Sequence, residues 1–224
     1  MENKVQNIAN NSEYLDYLES QMYLIEDLSY FNNIRKYPLE SFLLGIYNYV
    51  NVLKENNIHL GVILSKIPYK KCAKEIVKVL HLNLETSEDG KFESKSDQFE
   101  KFLNQFKQKN YSDGYYKKFA SLMPFDKLCN DLCHIVLEKT WIHVVASMAA
   151  FQYLNSVINI KLNEFAIKSK NNDAVLLDES NENGIALLRL LDDEDIIDVK
   201  TGINDVITSF CLFFNEIDNL YYND

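Results

Sequence analysis

An all-α, single-domain protein is what this sequence predicts, and three observations carry that expectation. Gly (6) and Pro (3) are scarce in 224 residues, so tight turns and helix breakers are few. Apolar residues recur every three or four positions along nearly the whole chain, the period that lays a stripe on one helix face. From Phe125 to Ser169 there is neither Gly nor Pro, a run long enough for the central helix of a bundle. At 47% hydrophobic, the chain can bury one core. No repeat or linker divides residues 1–224.

The elements follow in order. Residues 1–11 are expected to form a flexible lead. A first helix over Ser12–Asn33 is predicted by Leu15, Leu18, Met22, Ile25 and Leu28. Pro38 suits the first turn of a second helix, with Phe42, Ile46, Val50 and Leu53 on one face. Leu60–Ile67 continues as helix, Pro68 kinks it, and Cys72, Ile76, Val79 and Leu80 resume the stripe. The polar stretch 85–96, with Gly90, predicts an exposed loop. Phe99, Phe102, Leu103 and Phe106 open the next helix. Pro124 starts the long central one, which would either bend at Lys139-Thr140-Trp141 or run on. Residues 168–184 form a polar connection interrupted by Val175-Leu176-Leu177. The closing helix has the cleanest stripe: Ile203, Val206, Ile207, Phe210, Phe213, Phe214, Ile217 and Leu220. Trp141 and most Tyr and Phe residues are expected in the core.

Composition excludes several function classes. A net charge of -10 opposes wholesale binding to phosphate backbones. The four cysteines, Cys72, Cys129, Cys133 and Cys211, show no C-x-x-C or metal-ligand spacing, which predicts free thiols in a reducing, intracellular compartment. No apolar run reaches the roughly 20 residues that span a bilayer, and Met1-Glu2-Asn3-Lys4 does not resemble a signal peptide.

Side chains that could carry chemistry are few. His134 and Glu138 are i,i+4 on one helix face, and Asp178 with Glu182 would form a second pair if that segment were helical. A two-metal carboxylate bundle needs about six ligands on facing helices, so no metal is expected and these pairs read as solvated. His143, five residues beyond Glu138, points elsewhere. His59, His81 and His143 are expected to be structural. Asp192-Asp193-Glu194-Asp195 lacks the Gly turn of a calcium loop. Cys129 and Cys133 are the central thiols, with no activating base beside them except His134. Lys66, Lys70, Lys74 and Lys78 recur at i,i+4 with Lys71 adjacent. If the helix continues past Pro68 they form a basic stripe on an acidic molecule, suited to a protein partner or a nucleic-acid-associated complex. A solvated helix face is the plain alternative.

A family resemblance enters through the central segment. Pro124-Phe125-Asp126-Lys127-Leu128 opens it. About thirty residues on come Tyr153-Leu154, Asn155-Ser156-Val157-Ile158-Asn159-Ile160 and Lys161-Leu162-Asn163-Glu164-Phe165. This layout resembles the distal half of haem oxygenases, where a Pro-led helix precedes a Tyr-Leu pair and then G-D-L-S-G-G. Leu43-Leu44-Gly45-Ile46-Tyr47-Asn48-Tyr49 is similar to the family's second long helix, Leu132-Cys133-His134-Ile135 to its L-H-E-V, and Phe213-Phe214-Asn215-Glu216-Ile217 to its closing helix. The resemblance runs from Leu15 to Tyr221 and implies a haem-oxygenase-like multi-helix bundle, an architecture shared by thiaminase-type and di-metal relatives.

The same resemblance exposes departures. Haem oxygenases ligate iron through a histidine of the first helix, and Ser12–Asn33 contains none; Glu19 or a close neighbour stands at that position. Asn155, Asn159 and Ile160 replace the three distal glycines that let backbone approach the porphyrin, and Ser156 replaces the Asp. Arg189 is similar to a basic residue that pairs with haem propionates. The expectation is a catalytically inactive relative that binds no haem or other cofactor and acts as a binding or scaffold module. The alternative is a non-haem or di-metal enzyme of the same superfamily, an oxygenase or thiaminase-like. The nearest family members would be plastid-type, which implies an apicomplexan plastid, the apicoplast, once a presequence is removed.

Overall fold

The computed structural model describes residues 2–32, 49, 62, 65–68, 84–86, 92–105, 123–168, 176–192 and 194–222. Its helices are α1 (Glu2–Glu26), α2 (Ser29–Asn32), α3 (Lys95–Asn104), α4 (Met123–Glu138), α5 (Trp141–Lys168), α6 (Glu182–Leu188) and α7 (Ile196–Tyr222), with a 3-10 turn at Arg189–Leu191. The only strands among these residues form a small antiparallel ladder, β1 (Leu84–Thr86) on β2 (Phe92–Ser94), pairing Leu84 with Ser94 and Thr86 with Phe92. It falls within the stretch 85–96 expected as a loop, and α3 begins in the same stretch. Each strand is only three residues long, too short for an alternating pattern to stand out from a polar background.

The first helix extends back to Glu2, beyond the flexible lead expected at residues 1–11. Of its expected stripe, Leu18, Met22, Ile25 and Leu28 are buried and Leu15 only partly so, with the neighbouring Tyr14 buried instead. Pro124 lies in the first turn of α4, where a missing N–H costs nothing. Leu128, Leu132, Ile135 and Val136 form the buried side of that helix.

The long central run breaks at Lys139–Thr140 into α4 and α5. Thr140 caps the new helix: its Oγ1 accepts the His143 N–H at 3.3 Å and donates to Asp198 Oδ2 at 2.7 Å. On the other side of the joint, Lys66 Nζ donates to the carbonyls of Leu137 (2.7 Å) and Lys139 (3.3 Å), which α4 leaves unpaired as it ends.

α5 is the axis of the protein, buried without interruption from His143 to Asn159. Helices α1, α4, α6 and α7 all contact it. Two glycines of the flanking helices set how closely they approach. A Cβ at Gly202 of α7 would stand 2.5 Å from the His143 carbonyl oxygen, and one at Gly184 of α6 would stand 2.8 Å from that of Ala149. Ser147 Oγ lies 2.8 Å from the His143 carbonyl and 2.9 Å from that of Gly202, pinning α5 to α7. Aromatic rings fill the adjoining core: Phe151 on Phe210 at 5.4 Å, Phe31 on Phe214 at 4.8 Å, and Tyr49 edge-on to Phe99 at 5.6 Å. Trp141, expected in the core, is only partly buried against it.

Candidate functional site

One face of α5 is polar although the helix is enclosed. At 100° per residue, Gln152, Asn155, Ser156, Asn159 and Asn163 fall within an arc of roughly 100°. Their exposures are only 1%, 2%, 4%, 3% and 3%. Uncompensated amides at such depth are costly, so the destination of each polar atom matters. Asn163 is fully used: Nδ2 donates to the Leu177 carbonyl and to Glu179 Oε1, each at 2.8 Å, and Oδ1 accepts the Leu177 N–H at 2.9 Å. Asn159 Nδ2 donates to the Asp178 carbonyl. Ser156 Oγ turns back to the Tyr153 carbonyl at 2.7 Å. Asn155 Oδ1 accepts from the Tyr49 hydroxyl, whose pKa burial holds well above the usual phenol value. Both polar atoms of Gln152, Asn155 Nδ2 and Asn159 Oδ1 have no hydrogen-bond partner among the described residues.

The seam between α1 and α5 lies beside this face. Tyr153 donates its hydroxyl to Glu19 Oε1 at 3.0 Å. Burial first, and then the Glu19 carboxylate, raise the Tyr153 pKa. Leu18 and Met22 flank Glu19 in sequence and are buried at 0% and 3%. Glu19 is thus an exposed carboxylate of α1 bonded across the seam to a tyrosine of α5. Asn155 and Asn159 occupy buried space on α5. Ile160 does not: it is 39% exposed and looks out of the bundle, because position 160 turns about 80° from the centre of the polar face. Arg189 is exposed at the start of the 3-10 turn. These residues do not fit a haem. α1 carries no histidine to offer as a neutral nitrogen ligand, and the Ser156 hydroxyl is spent on the Tyr153 carbonyl of its own helix.

The other candidates disperse. His134 and Glu138 are exposed on α4. The segment holding Asp178 is irregular rather than helical: Asp178 Oδ1 accepts the Ser180 N–H at 2.9 Å, while Glu182 opens α6. The second i,i+4 pair therefore does not form. The described residues contain no group of three or more His, Cys, Asp and Glu placed to hold a metal. His134 instead lines an open groove of about 310 Å³ between α4 and α7, with Asp131, Lys139, Asp205 and Ser209. Cys129, Cys133 and Cys211 are half-buried thiols outside any disulfide, and burial pushes the Cys211 thiol up, opposite to nucleophile activation. Lys66 is tied to the end of α4, while Lys70, Lys71, Lys74 and Lys78 lie outside the described residues, as do His59 and His81.

Two functional-looking features escaped sequence reasoning. His143, expected to be merely structural, is buried between two α7 carboxylates, with Nε2 3.0 Å from Asp205 Oδ2 and Nδ1 3.7 Å from Asp198 Oδ1. Asp198 and Asp205 are seven apart, two turns on one helix face, which is the signal that could have shown it. Gln152 completes the amide face three residues before Asn155, a spacing visible only once that side of α5 is known to be interior.

No protein-family model matches the chain, and no curated protein matches it. Among solved structures it is similar to a CADD-like protein of unknown function from Nostoc punctiforme, at 11% identity and a TM-score of 0.62, covering 94% of this chain and 99% of that one. With nearly all of both chains superposed, the likeness establishes the architecture: an all-α, haem-oxygenase-like helical bundle.

Proposed function

We propose that this protein is a catalytically inactive relative on the haem-oxygenase-like scaffold and works as a binding or scaffold module. The observation that supports this is the Tyr153–Glu19 hydrogen bond at 3.0 Å, which closes α1 against α5 through the side chain that the family resemblance sets in place of an iron ligand. Buried Asn155 and Asn159, each engaged by another segment, support it from the distal side. Haemin titration tests the proposal. Addition of haemin to the purified protein gives no sharp Soret shift, and a reductant then yields no biliverdin. A stoichiometric Soret complex that turned over would overturn the proposal. Two iron or manganese ions per purified chain would replace it with the di-metal alternative.

The partner in this proposal is a protein, alone or within a nucleic-acid-associated complex, met by the basic stripe of Lys70, Lys71, Lys74 and Lys78. Its support is the i,i+4 spacing against a net charge of -10. No helix among the described residues is long and apolar enough to cross a membrane. The plastid compartment rests on the family resemblance, and immunolocalisation in the native cell decides it.

A further inference from the structure

Most serine and threonine hydroxyls within α5 and α7 are spent on their own helix. Ser147 donates to the His143 carbonyl at 2.8 Å, Ser156 to that of Tyr153 at 2.7 Å, and Thr201 to that of Ile197 at 2.7 Å. Thr208 and Ser209 are the exceptions, since neither hydroxyl has a partner among the described residues. Both line the open groove of about 310 Å³ between α7 and α4.

Two opposite charges stand free in the same groove. Asp131 and Lys139 line its α4 side, and neither side chain makes an ion pair or hydrogen bond among the described residues. Distance keeps them from pairing with each other. The Lys139 N–H still donates to the Ile135 carbonyl at 3.2 Å, so helical spacing sets the two residues about 12 Å apart along the axis. The charges at the groove's ends are already engaged. Asp205 Oδ2 stands 3.0 Å from the buried His143 Nε2, and Lys127, one turn before Asp131, pairs with Glu216 at 3.4 Å. Ile135, 4% exposed, gives the groove an apolar floor, and Leu212, 43% exposed, an apolar rim.

These features select a ligand class. A simple anion could meet Lys139 but is repelled by a chain of net charge -10. A simple cation could meet Asp131 and leaves Lys139 unanswered. A free α-amino acid carries both charges too close together to reach both ends. An extended peptide of two or three residues covers most of the span, at about 3.3–3.6 Å per residue, and the long Lys139 side chain covers the rest. Its amides offer donors and acceptors to the two hydroxyls in between. The groove has room for it, since small-ligand sites begin at about 300 Å³.

We infer that the α4–α7 groove binds a short zwitterionic peptide: N-terminal ammonium on Asp131, C-terminal carboxylate on Lys139, backbone amides on Thr208 and Ser209. This site uses neither the lysine stripe nor the α1–α5 seam, so its test can fail while those proposals stand.

Calorimetric titration of the full chain tests it, with Gly-Leu-Gly, its N-acetyl derivative, its C-terminal amide and free leucine as probes. The wild type binds Gly-Leu-Gly about three- to fivefold more tightly than either derivative, the range of a part-exposed ion pair, and free leucine more weakly still. Asp131→Asn weakens Gly-Leu-Gly by that factor and leaves the N-acetyl derivative unchanged. Lys139→Met weakens Gly-Leu-Gly and leaves the amide unchanged. Neither substitution removes a side-chain bond, so both variants keep the wild-type Tm, and circular dichroism confirms that they fold. Ser209→Ala weakens all three peptides alike. The inference is overturned if millimolar Gly-Leu-Gly gives no binding heat, the outcome when water alone fills the groove. Derivatives that bind as tightly as the parent overturn it, as does an Asp131 or Lys139 variant that weakens every probe equally.

Discussion

Gly202 offers the sharpest test of how the bundle is assembled. It lies inside α7, where Gly→Ala ordinarily stabilises a helix by about 1 kcal/mol. Here the added Cβ would sit 2.5 Å from the His143 carbonyl oxygen and 3.0 Å from Ala146 Cβ. The first distance is 0.9 Å short of the 3.4 Å where ordinary contact begins. The obstructing atom is backbone in the first turn of α5, so no rotamer change can relieve it. The helices must separate, loosening the Ser147 hydroxyl between the His143 and Gly202 carbonyls. Overpacking of this kind costs roughly 1–3 kcal/mol and more where backbone must move. Taking the upper end of about 3 kcal/mol because backbone must move, and subtracting the propensity gain of about 1 kcal/mol, Gly202→Ala destabilises by about 2 kcal/mol and Tm falls by roughly 4–8 °C. Urea denaturation followed by far-UV circular dichroism measures it. Adding Ala146→Gly recovers little, because the His143 carbonyl remains in the way. A Gly202→Ala protein as stable as the wild type, or more so, would refute the close crossing of α5 and α7.

Further outcomes are expected. Asn163→Ala removes three hydrogen bonds that hold 177–179 against α5, costing about 2–3 kcal/mol, and limited proteolysis then cuts faster within residues 169–181. Tyr49 has a folded pKa raised by burial, so its contribution to stability is complete below the unfolded value near 10 and is lost as pH rises beyond it towards the folded pKa. Tyr49→Phe therefore reduces the alkaline loss of stability by up to about 1.4 kcal/mol per pH unit above pH 10, read from urea midpoints against pH. Tyr153→Phe opens the α1–α5 seam at a cost of roughly 1–2 kcal/mol without conferring haem binding, checked by unfolding and by haemin titration. Lys70→Glu with Lys74→Glu weakens partner capture and leaves Tm unchanged; equal capture removes that face from the proposal.

The bundle was legible because its signal is periodic and repeated: the stripes of α1 and α7 bury most of the residues that their spacing singles out, Leu18, Ile25, Ile203, Val206 and Phe210 among them. The break at Lys139–Thr140 was legible as a place, since Thr-Trp after a charged residue is a capping sequence, but the bond from Thr140 to Asp198 that fixes it spans 58 positions. The ladder at 84–94 was hidden by its length. The candidate site divides similarly. Glu19, Asn155, Ser156 and Asn159 were found through resemblance, and the structure buries the last three while leaving Ile160 outside. What those side chains touch could not be read, because the partners Tyr49, Tyr153 and Asp178 come from other parts of the chain. Pairing at a distance leaves no local trace. The metal candidates failed for a related reason: His134 and Glu138 are neighbours by helix geometry, but nothing in their spacing guarantees a facing pair.

The elbow between α4 and α5 constrains how this molecule can breathe. A lysine clamps the last carbonyls on one side, and a threonine bolts the following turn to α7 on the other. Angular motion there would break charge-assisted and hydroxyl bonds together, so the two helices travel as one rigid lever.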